Sequence, residues 1–231
     1  MSTYGMVKKA QSSARREESL SRESIVEASI ALLDAKGESG LTFRALADRL
    51  NTGPGAIYWH VANKADLLTA ACDAMIARAM NAAQEGATPR EIIRNVALGM
   101  FDTIDEHPWV GSALNRAPGQ LPMVRILERL GQQVSSLGVA KDAQWQATSA
   151  LLSYILGVSG QNAANAQIGR EQNYDRETFL QTVAASWLQL DASEYPFARS
   201  VAAQLSVHDD RADFLAGIDL ILRGIEAQQA D

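Results

Sequence analysis

The sequence predicts an all-α protein, and three observations support this fold class. Apolar residues recur at intervals of three and four along most of the 231 residues, which is the spacing of one helix face. No sustained apolar-polar alternation appears, and no Asn-Gly or Asp-Gly turn separates two apolar runs, so strand signals are nearly absent. Proline and glycine interrupt the helical pattern repeatedly and divide it into separate helices.

The first part of the chain is predicted to hold a basic tail and four helices. Residues 1–20 are polar and include Lys8, Lys9, Arg15 and Arg16, so they are expected to form a flexible tail. The next helices each begin at a residue that favours a helix start, namely Ser21, Thr42, Pro54 and Asn63. Gly37 stops the first helix and Leu50 ends the second.

Longer helices follow beyond Gly86. The predicted spans are 89–106, 108–116, 122–137, 142–167, 176–190, 196–205 and 211–227. Proline, glycine and polar residues mark the breaks between them. The polar stretch Gly169–Asp175 is the best candidate for a mobile loop.

Composition limits the class of protein. Hydrophobic residues make up 47% of the chain and charged residues 21%, which is typical of a globular protein with a real core. No apolar run approaches the roughly 18–20 residues of a membrane span, and the N-terminus shows no secretory signal. The single cysteine, Cys72, cannot form an internal disulfide and is expected to be a small buried side chain. We therefore expect a cytoplasmic protein with no membrane partner.

The charge is distributed unevenly. Residues 1–64 carry nine Lys and Arg against seven Asp and Glu, a net charge of +2, and the rest carries twelve against twenty, a net charge of −8. This asymmetry allows the N-terminal segment to face an anion while the remainder keeps the protein soluble.

Helix, short turn and short helix, in that order, are the layout of a helix-turn-helix motif. The turn Asn51–Gly53 has a suitable length, and the second helix of such a motif enters the major groove. Small residues at Gly55 and Ala56 would let its backbone approach DNA, and Tyr58 and Trp59 suit phosphates and thymine methyl groups. From spacing alone, plain core packing of the aromatic residues explains the pattern about as well.

Residues 21–68, with "LTFRALADRLNTGPGAIYWHVANKADLL" at their centre, resemble the DNA-binding domain of TetR/AcrR-type transcriptional regulators. The segments "PFARSVAAQL" and "ADFLAGIDLILRGIEA" are similar to the end of the tetracycline-repressor-like C-terminal domain. The resemblance implies an all-α protein with an N-terminal three-helix helix-turn-helix DNA-binding domain over 21–68. This domain is joined to a larger helical ligand-binding and dimerisation domain over 69–231. The resemblance also implies a homodimeric repressor that binds a palindromic double-stranded DNA operator and is released from it by a small-molecule effector.

The resemblance also implies which residues contact DNA. The first residues of the supporting helix approach phosphates, the small residues face bases, the rings lie along the groove and backbone, and the lysine clamps a phosphate. The predicted DNA-binding residues are Thr42, Arg44, Gly53, Pro54, Gly55, Ala56, Tyr58, Trp59, His60 and Lys64. Gly53 departs from the Ser or Thr cap frequent in the family, and glycine caps a helix less well by a few tenths of a kcal/mol.

Two stripes of residues are candidates for a dimer interface. One is apolar and lies on the last helix at Phe214, Leu215, Ile218, Leu222 and Ile225. The other consists of small residues on an earlier helix at Ala150, Ser153, Gly157 and Gly160, where another helix can approach closely. The alternative is that both stripes belong to the core of a single chain.

The effector is predicted to be small and hydrophobic or aromatic. Leu114 occupies the position where the resemblance implies a metal-binding histidine, and Ala117 and Leu130 occupy those of neighbouring polar contacts. His60, His107 and His208 are far apart, so neither a metal nor a cofactor is predicted. Met and aromatic side chains suit an adaptable apolar cavity with a few polar groups. The predicted ligand-binding residues are Met75, Met100, Trp109, Asn115, Met123, Trp145, Tyr154, Gln161 and Asn165.

Two other functions compete with a ligand-responsive repressor. A helical enzyme with an accessory DNA-binding motif would need a nucleophile paired with a base, a phosphate loop or a metal motif, and none is visible, so no enzyme is predicted. A DNA-binding regulator whose C-terminal domain only dimerises or binds a protein partner fits the same helical pattern.

Overall fold

We describe a computed structural model of the chain, in which residues 20–81, 87–116, 119–171, 175–205 and 208–228 are placed. These residues form eleven helices and contain no strand. The predicted all-α fold class is therefore confirmed. The predicted flexible tail lies outside the described residues, except for Leu20.

The chain divides into two compact units, Met1–Ala71 and Cys72–Asp231. The first unit contains α1 (Arg22–Gly40), α2 (Phe43–Arg49), α3 (Pro54–Tyr58) and the start of α4 (Lys64–Met80). The boundary between the units falls inside α4. The assignment of DNA binding to 21–68 and of ligand binding and dimerisation to 69–231 remains a prediction.

Three of the predicted helix caps are confirmed in the first unit. The Ser21 hydroxyl accepts a hydrogen bond from the Ser24 N–H at 3.0 Å, and Thr42 Oγ1 accepts one from the Ala45 N–H at 3.1 Å. Asn63 Oδ1 accepts one from the Asp66 N–H at 2.9 Å. Each cap satisfies a backbone donor that has no partner inside its helix.

The predicted stop at Gly37 is a break in the helical backbone, since its φ is 63° and its ψ is −168°. Glycine adopts this φ with little strain because it has no Cβ. The helical hydrogen-bond pattern nevertheless continues to Gly40, which is where α1 ends.

The second unit contains the remaining seven helices. They are α5 (Pro89–Glu106), α6 (Pro108–Arg116), α7 (Leu121–Ser136), α8 (Gln144–Glu171), α9 (Arg176–Leu188), α10 (Pro196–Leu205) and α11 (Asp210–Ala227). Helix α8 runs four residues further than its predicted end at residue 167. It therefore includes the first residues of the predicted loop Gly169–Asp175, of which 172–174 lie outside the described residues.

Helices α5 and α8 form the centre of the second unit. Each of α6, α7 and α11 packs against both of them. The apolar stripe of α11 faces this core, where Phe214 is 1% exposed and Ile218 and Leu222 are fully buried. The Phe214 ring lies 4.8 Å from that of Phe101 and 5.7 Å from that of Tyr154, measured between centroids. Most of the stripe offered as a dimer interface is therefore intrachain core, the alternative that the sequence left open.

Charged side chains reinforce the packing of α11 on α5. Arg90 contacts both Glu226 and Asp219 at 2.9 Å, and Arg94 also contacts Asp219. The hydrogen bond from Arg94, followed by the contact with Arg90, keeps the pKa of Asp219 below its ordinary value.

Helices α9 and α10 pack mainly against each other. In these helices and the segment that connects them, Ala184 and Ala202 are buried, whereas Leu188, Tyr195 and Phe197 are 47%, 47% and 77% exposed. This pair of helices therefore leaves large apolar side chains in contact with water.

Candidate nucleic-acid interface and effector region

The helix-turn-helix consists of α2, a tight turn and α3. Leu46 of α2 and Ile57 of α3 are fully buried and join the two helices, while Leu50 is half-buried. Asn51 has a φ of 50°, a conformation that asparagine tolerates better than most residues. The Thr52 N–H donates to the Ala47 carbonyl at 3.0 Å and closes the turn. The predicted turn is therefore formed by local hydrogen bonding and a buried apolar seam.

The start of α3 is free of side chains that would block an approaching molecule. Gly53 precedes the helix without any side-chain capping bond, and Pro54 occupies its first turn. A Cβ added at Gly53 or at Gly55 would meet no other heavy atom within 4 Å. The space at both glycines is open, which allows the backbone of α3 to come close to a flat or grooved surface.

The rings at the end of α3 lie on the surface. Trp59 is 90% exposed, Tyr58 is 55% exposed, and His60 is also exposed. Core packing, the other explanation of this aromatic run, is excluded for these three side chains. A large exposed apolar surface on a small unit is typical of a binding site.

Phe43, which the sequence analysis did not select, stacks on Tyr58. The ring centroids are 4.1 Å apart and the planes differ by 11°. Its position in the sequence could have indicated this role. Phe43 directly follows the helix cap, and the buried seam of α2 is already formed by Leu46 and Ala47, so its ring is available for another contact. Phe43 therefore links the first residue of α2 to the last residue of α3.

The helices before and after α3 carry exposed cationic side chains. Arg44 and Arg49 of α2 are exposed and form no ion pair with any described residue. Lys64 Nζ donates to the Glu38 carbonyl oxygen at 2.6 Å, near the end of α1. The carbonyl end of a helix carries a partial negative charge and attracts a cation, so Lys64 also ties the start of α4 to α1.

The predicted ligand-binding residues do not gather around one cavity. Met75, Met100 and Trp109 are buried in the second unit, at 7%, 0% and 8% exposure. Trp145 is 64% exposed, and the Tyr154 hydroxyl donates to the Phe214 carbonyl at 3.3 Å. Met123 is half-buried, and Gln161 and Asn165 are exposed. The set therefore divides into core residues and surface residues.

One cavity of about 580 Å³ lies between α5, α6 and α8. It contains the predicted residue Asn115, and none of its described lining residues is charged. Its walls are formed by Ile104, Pro108, Gly111, Ser112, Asn115, Ser153, Leu156, Gly157, Gly160, Ala163, Ala164 and Gln167. The lining suits an uncharged molecule with one or two polar groups.

A second cavity, of about 670 Å³, lies between α5, α8, α9 and the start of α11 and contains Asn165. Its walls carry ion pairs that are already formed. Arg211 makes two contacts to Asp102, at 3.1 and 3.2 Å, and Arg176 contacts Asp210 at 2.7 Å. A third cavity, of about 510 Å³, lies between α4 and α7 beside Arg125, which binds Asp73 at 2.9 and 3.0 Å.

Leu114 and Leu130, at the positions implied for metal and polar contacts, are 2% and 0% exposed, and Ala117 lies outside the described residues. In the described ranges, no group of three or more His, Cys, Asp or Glu side chains is arranged to hold a metal ion. His107 contacts the Trp109 ring edge-on with 6.5 Å between centroids. His208 lies within 3.0 Å of Asp210 and 2.6 Å of Asp213.

Cys72 is 2% exposed, and burial raises the pKa of its thiol to about 12. The thiolate is therefore negligible at neutral pH, which agrees with the predicted packing role. Within the described part of the chain, each helix is too short or too polar to cross a lipid bilayer.

Two family models match this chain. The model described as bacterial regulatory proteins, tetR family, matches residues 25–71. The model described as tetracyclin repressor-like, C-terminal domain, matches residues 83–229. The first match lies in the N-terminal unit and the second in the C-terminal unit, and the second alone covers more than half of the chain.

Known relatives agree with these matches. A solved transcriptional regulator described as a TetR from Streptomyces coelicolor is 50% identical, with a TM-score of 0.83, covering 90% of this chain and 99% of that one. An HTH-type transcriptional regulator of Saccharopolyspora erythraea is 26% identical over 185 residues, 79% of this chain and 75% of its own length. The Streptomyces coelicolor TetR family protein ActR, solved in complex with actinorhodin, shares the fold with a TM-score of 0.74 at 22% identity, covering 90% of this chain and 96% of that one.

The open helix-turn-helix surface and the larger helical unit are thus the two parts that the family models describe. Proteins of this kind are DNA-binding transcription factors and not enzymes. This chain belongs to the TetR family of bacterial transcriptional regulators.

Proposed function

We propose that the protein is a homodimeric, cytoplasmic repressor that binds a palindromic operator through α3 and is released by a small hydrophobic or aromatic effector. The observation that carries this proposal is the surface at α3, with its two open glycines and the exposed rings of Tyr58 and Trp59. The preceding helix of the motif carries two exposed cations. Small residues permit close approach to base edges, and Arg44 and Arg49 supply charge for phosphates.

A homodimer requires a face that is not used within the chain. On α8, Ala150, Ser153 and Gly157 are exposed, and on α11 Leu220 is 63% exposed. A Cβ at Gly157 or at Gly224 would meet no heavy atom within 4 Å. Glycine inside a helix is less favourable than alanine by about 1 kcal/mol, and nothing in the single chain requires it at these two positions.

Close approach of a second helix would explain those glycines. We therefore place the dimer interface on the outer faces of α8 and α11, instead of the buried stripe from Phe214 to Ile225. A two-fold dimer matches a palindromic operator because the protein symmetry is repeated in the DNA half-sites.

We place the effector site in the 580 Å³ cavity between α5, α6 and α8. Its α8 wall includes Ser153 and Gly157, so this site adjoins the proposed dimer face and shares those two residues with it. Its uncharged walls suit the predicted class of effector better than those of the 670 Å³ cavity. In the larger cavity an uncharged ligand would displace water from charged side chains without replacing its hydrogen bonds. Asn115 supplies an amide for orientation, and Trp109 lies on the same short helix. ActR, which shares this fold, was solved in complex with actinorhodin, and this supports a small-molecule ligand for the helical unit.

One observation favours the alternative that the C-terminal unit binds a protein partner. Phe197 is 77% exposed on α10, and Leu188 at the end of α9 and Tyr195 just before α10 are exposed as well. Such a patch could be covered by another protein.

The direct test is to select bound DNA from a random pool with the purified protein. Small molecules, including apolar aromatic compounds, are then screened for loss of that binding. We expect a palindromic selected sequence. We also expect an effector to quench Trp109 fluorescence in a variant whose other three tryptophans, Trp59, Trp145 and Trp187, are replaced by Phe. Selection of no sequence would contradict DNA binding. Binding that no compound weakens, together with capture of a partner through the Phe197 patch, would favour the alternative.

A further inference from the structure

The stacked rings of Phe43 and Tyr58 join the two helices of the helix-turn-helix on its surface. Their planes are nearly parallel and their centroids are 4.1 Å apart. Phe43 is half-buried and Tyr58 is 55% exposed, so part of the stacked pair is in contact with water. Ring stacking of this kind adds attraction beyond the burial of apolar area.

Apart from this stack, few side-chain contacts hold helix α3 against its neighbours. It contains five residues, lacks a side-chain cap and buries only Ile57. So short a helix has little stability of its own, because nucleation of an isolated helix is unfavourable. The orientation of Tyr58 at its end therefore depends strongly on the ring against which it rests.

The exposed part of Tyr58 has two chemically different ends. The ring is apolar, and its hydroxyl makes no hydrogen bond with any described residue. In the major groove, the C5-methyl group of thymine is the apolar feature of the base edges. A ring held in a fixed orientation would contact such a methyl group while its hydroxyl remains available to a phosphate.

We infer that Phe43 is a positioning residue for DNA recognition: by stacking on Tyr58 it fixes that ring as an apolar surface for a thymine methyl group in each operator half-site. This inference rests on the proposed DNA-binding function. It adds a residue outside α3 that determines base preference without carrying a charge or a hydrogen-bonding group.

The test uses the full-length protein and its selected operator, in which each thymine is replaced in turn by uracil. Uracil retains every hydrogen-bonding group of thymine and lacks only the methyl group. For the wild type we expect about fourfold weaker binding per half-site at one thymine position, the factor expected from exposing one methyl group. Other thymine positions should show smaller changes.

Phe43→Ala should bind the thymine operator more weakly and should lose most of the discrimination between thymine and uracil at that position. The salt dependence of binding should not change, because no charge is removed. Phe43→Tyr keeps the ring and should restore the discrimination, whereas Phe43→Leu keeps apolar volume without stacking and should not. Tyr58→Phe keeps the stack, so it should weaken binding to both operators by the same factor.

Thermal melting of each variant separates recognition from folding. If Phe43→Ala does not fold, the comparison of Phe43→Leu with Phe43→Tyr decides the matter. Equal thymine preference in Phe43→Leu and wild type would overturn the positioning role. A wild type that selects an operator but is indifferent to uracil at every position would also overturn it, while DNA binding would stand. A wild type that selects no DNA sequence would contradict both the proposed function and this inference.

Discussion

The two compact units of this chain present their proposed functional residues in different ways. In the N-terminal unit these residues lie between 42 and 64, and most of them are exposed. In the C-terminal unit the predicted ligand-binding residues run from 75 to 165 and are divided between the core and the surface. A surface motif is thus assembled by neighbouring residues, whereas a cavity is assembled by helices that are distant in sequence.

The glycines distinguish open surfaces from packed ones in both units. Gly53 and Gly55 of the first unit and Gly157 and Gly224 of the second all have open space where a Cβ would lie. Gly217, in contrast, lies against the Tyr154 ring, since an added Cβ would collide with it. Open glycines indicate surfaces that a second molecule could approach, and the closed glycine indicates packing within the chain.

The largest expected effect is a loss of stability, and it tests which face of α11 belongs to the core. Phe214→Ala should lower the free energy of unfolding by about 3–5 kcal/mol, because it leaves a cavity beside Phe101 and Tyr154. Chemical denaturation at a fixed protein concentration measures this change. Phe197→Ala, an exposed ring in the same unit, is the control and should change it by less than about 1 kcal/mol. Equal effects would contradict the assignment of the Phe214 stripe to the core.

The next effect tests the proposed dimer face. Gly157→Arg places a long charged side chain on the exposed face of α8 and should produce monomers in light scattering. Operator affinity should fall by about 100-fold or more, since two linked half-site contacts become one. Ala140→Arg, at an exposed position just before α8, is the control and should remain dimeric. A dimeric Gly157→Arg protein with normal affinity would place the interface elsewhere.

A smaller effect concerns the ion pairs that hold α11 on α5. The pKa of Asp219 is lowered in the folded protein, chiefly by the hydrogen bond from Arg94. Its stabilisation is therefore complete above the unfolded pKa of about 3.9 and is lost as the pH falls through the lower folded pKa. Asp219→Asn should reduce stability at pH 7 by about 1 kcal/mol, because the partly exposed pairs are screened by water.

The measurement for Asp219 is the free energy of unfolding of both proteins between pH 7 and pH 3. The difference between wild type and Asp219→Asn should shrink as the solution becomes more acidic. A difference that stays constant over this range would show that Asp219 contributes through packing and not through its charge.

The smallest effect concerns Lys64. If its ammonium exchanges the Glu38 carbonyl for a DNA phosphate, Lys64→Ala should weaken binding to all sequences alike and lower the salt slope by about one unit. Fluorescence anisotropy at several salt concentrations measures this slope. Lys64→Arg keeps the charge and should retain it. An unchanged slope with a lower melting temperature would limit Lys64 to joining α1 and α4.

The sequence by itself determined the fold class, the positions of most helices and the helix-turn-helix. These depend on local signals, such as the caps at Ser21, Thr42 and Asn63 and the proline at the start of α3. Tertiary structure alone decided which side of α11 faces the core, because its apolar residues would suit either an intrachain or an interchain contact. It also brought Phe43 onto Tyr58, and it left Trp145 at the surface while burying Met100. Both outcomes depend on how distant segments pack and not on any local preference.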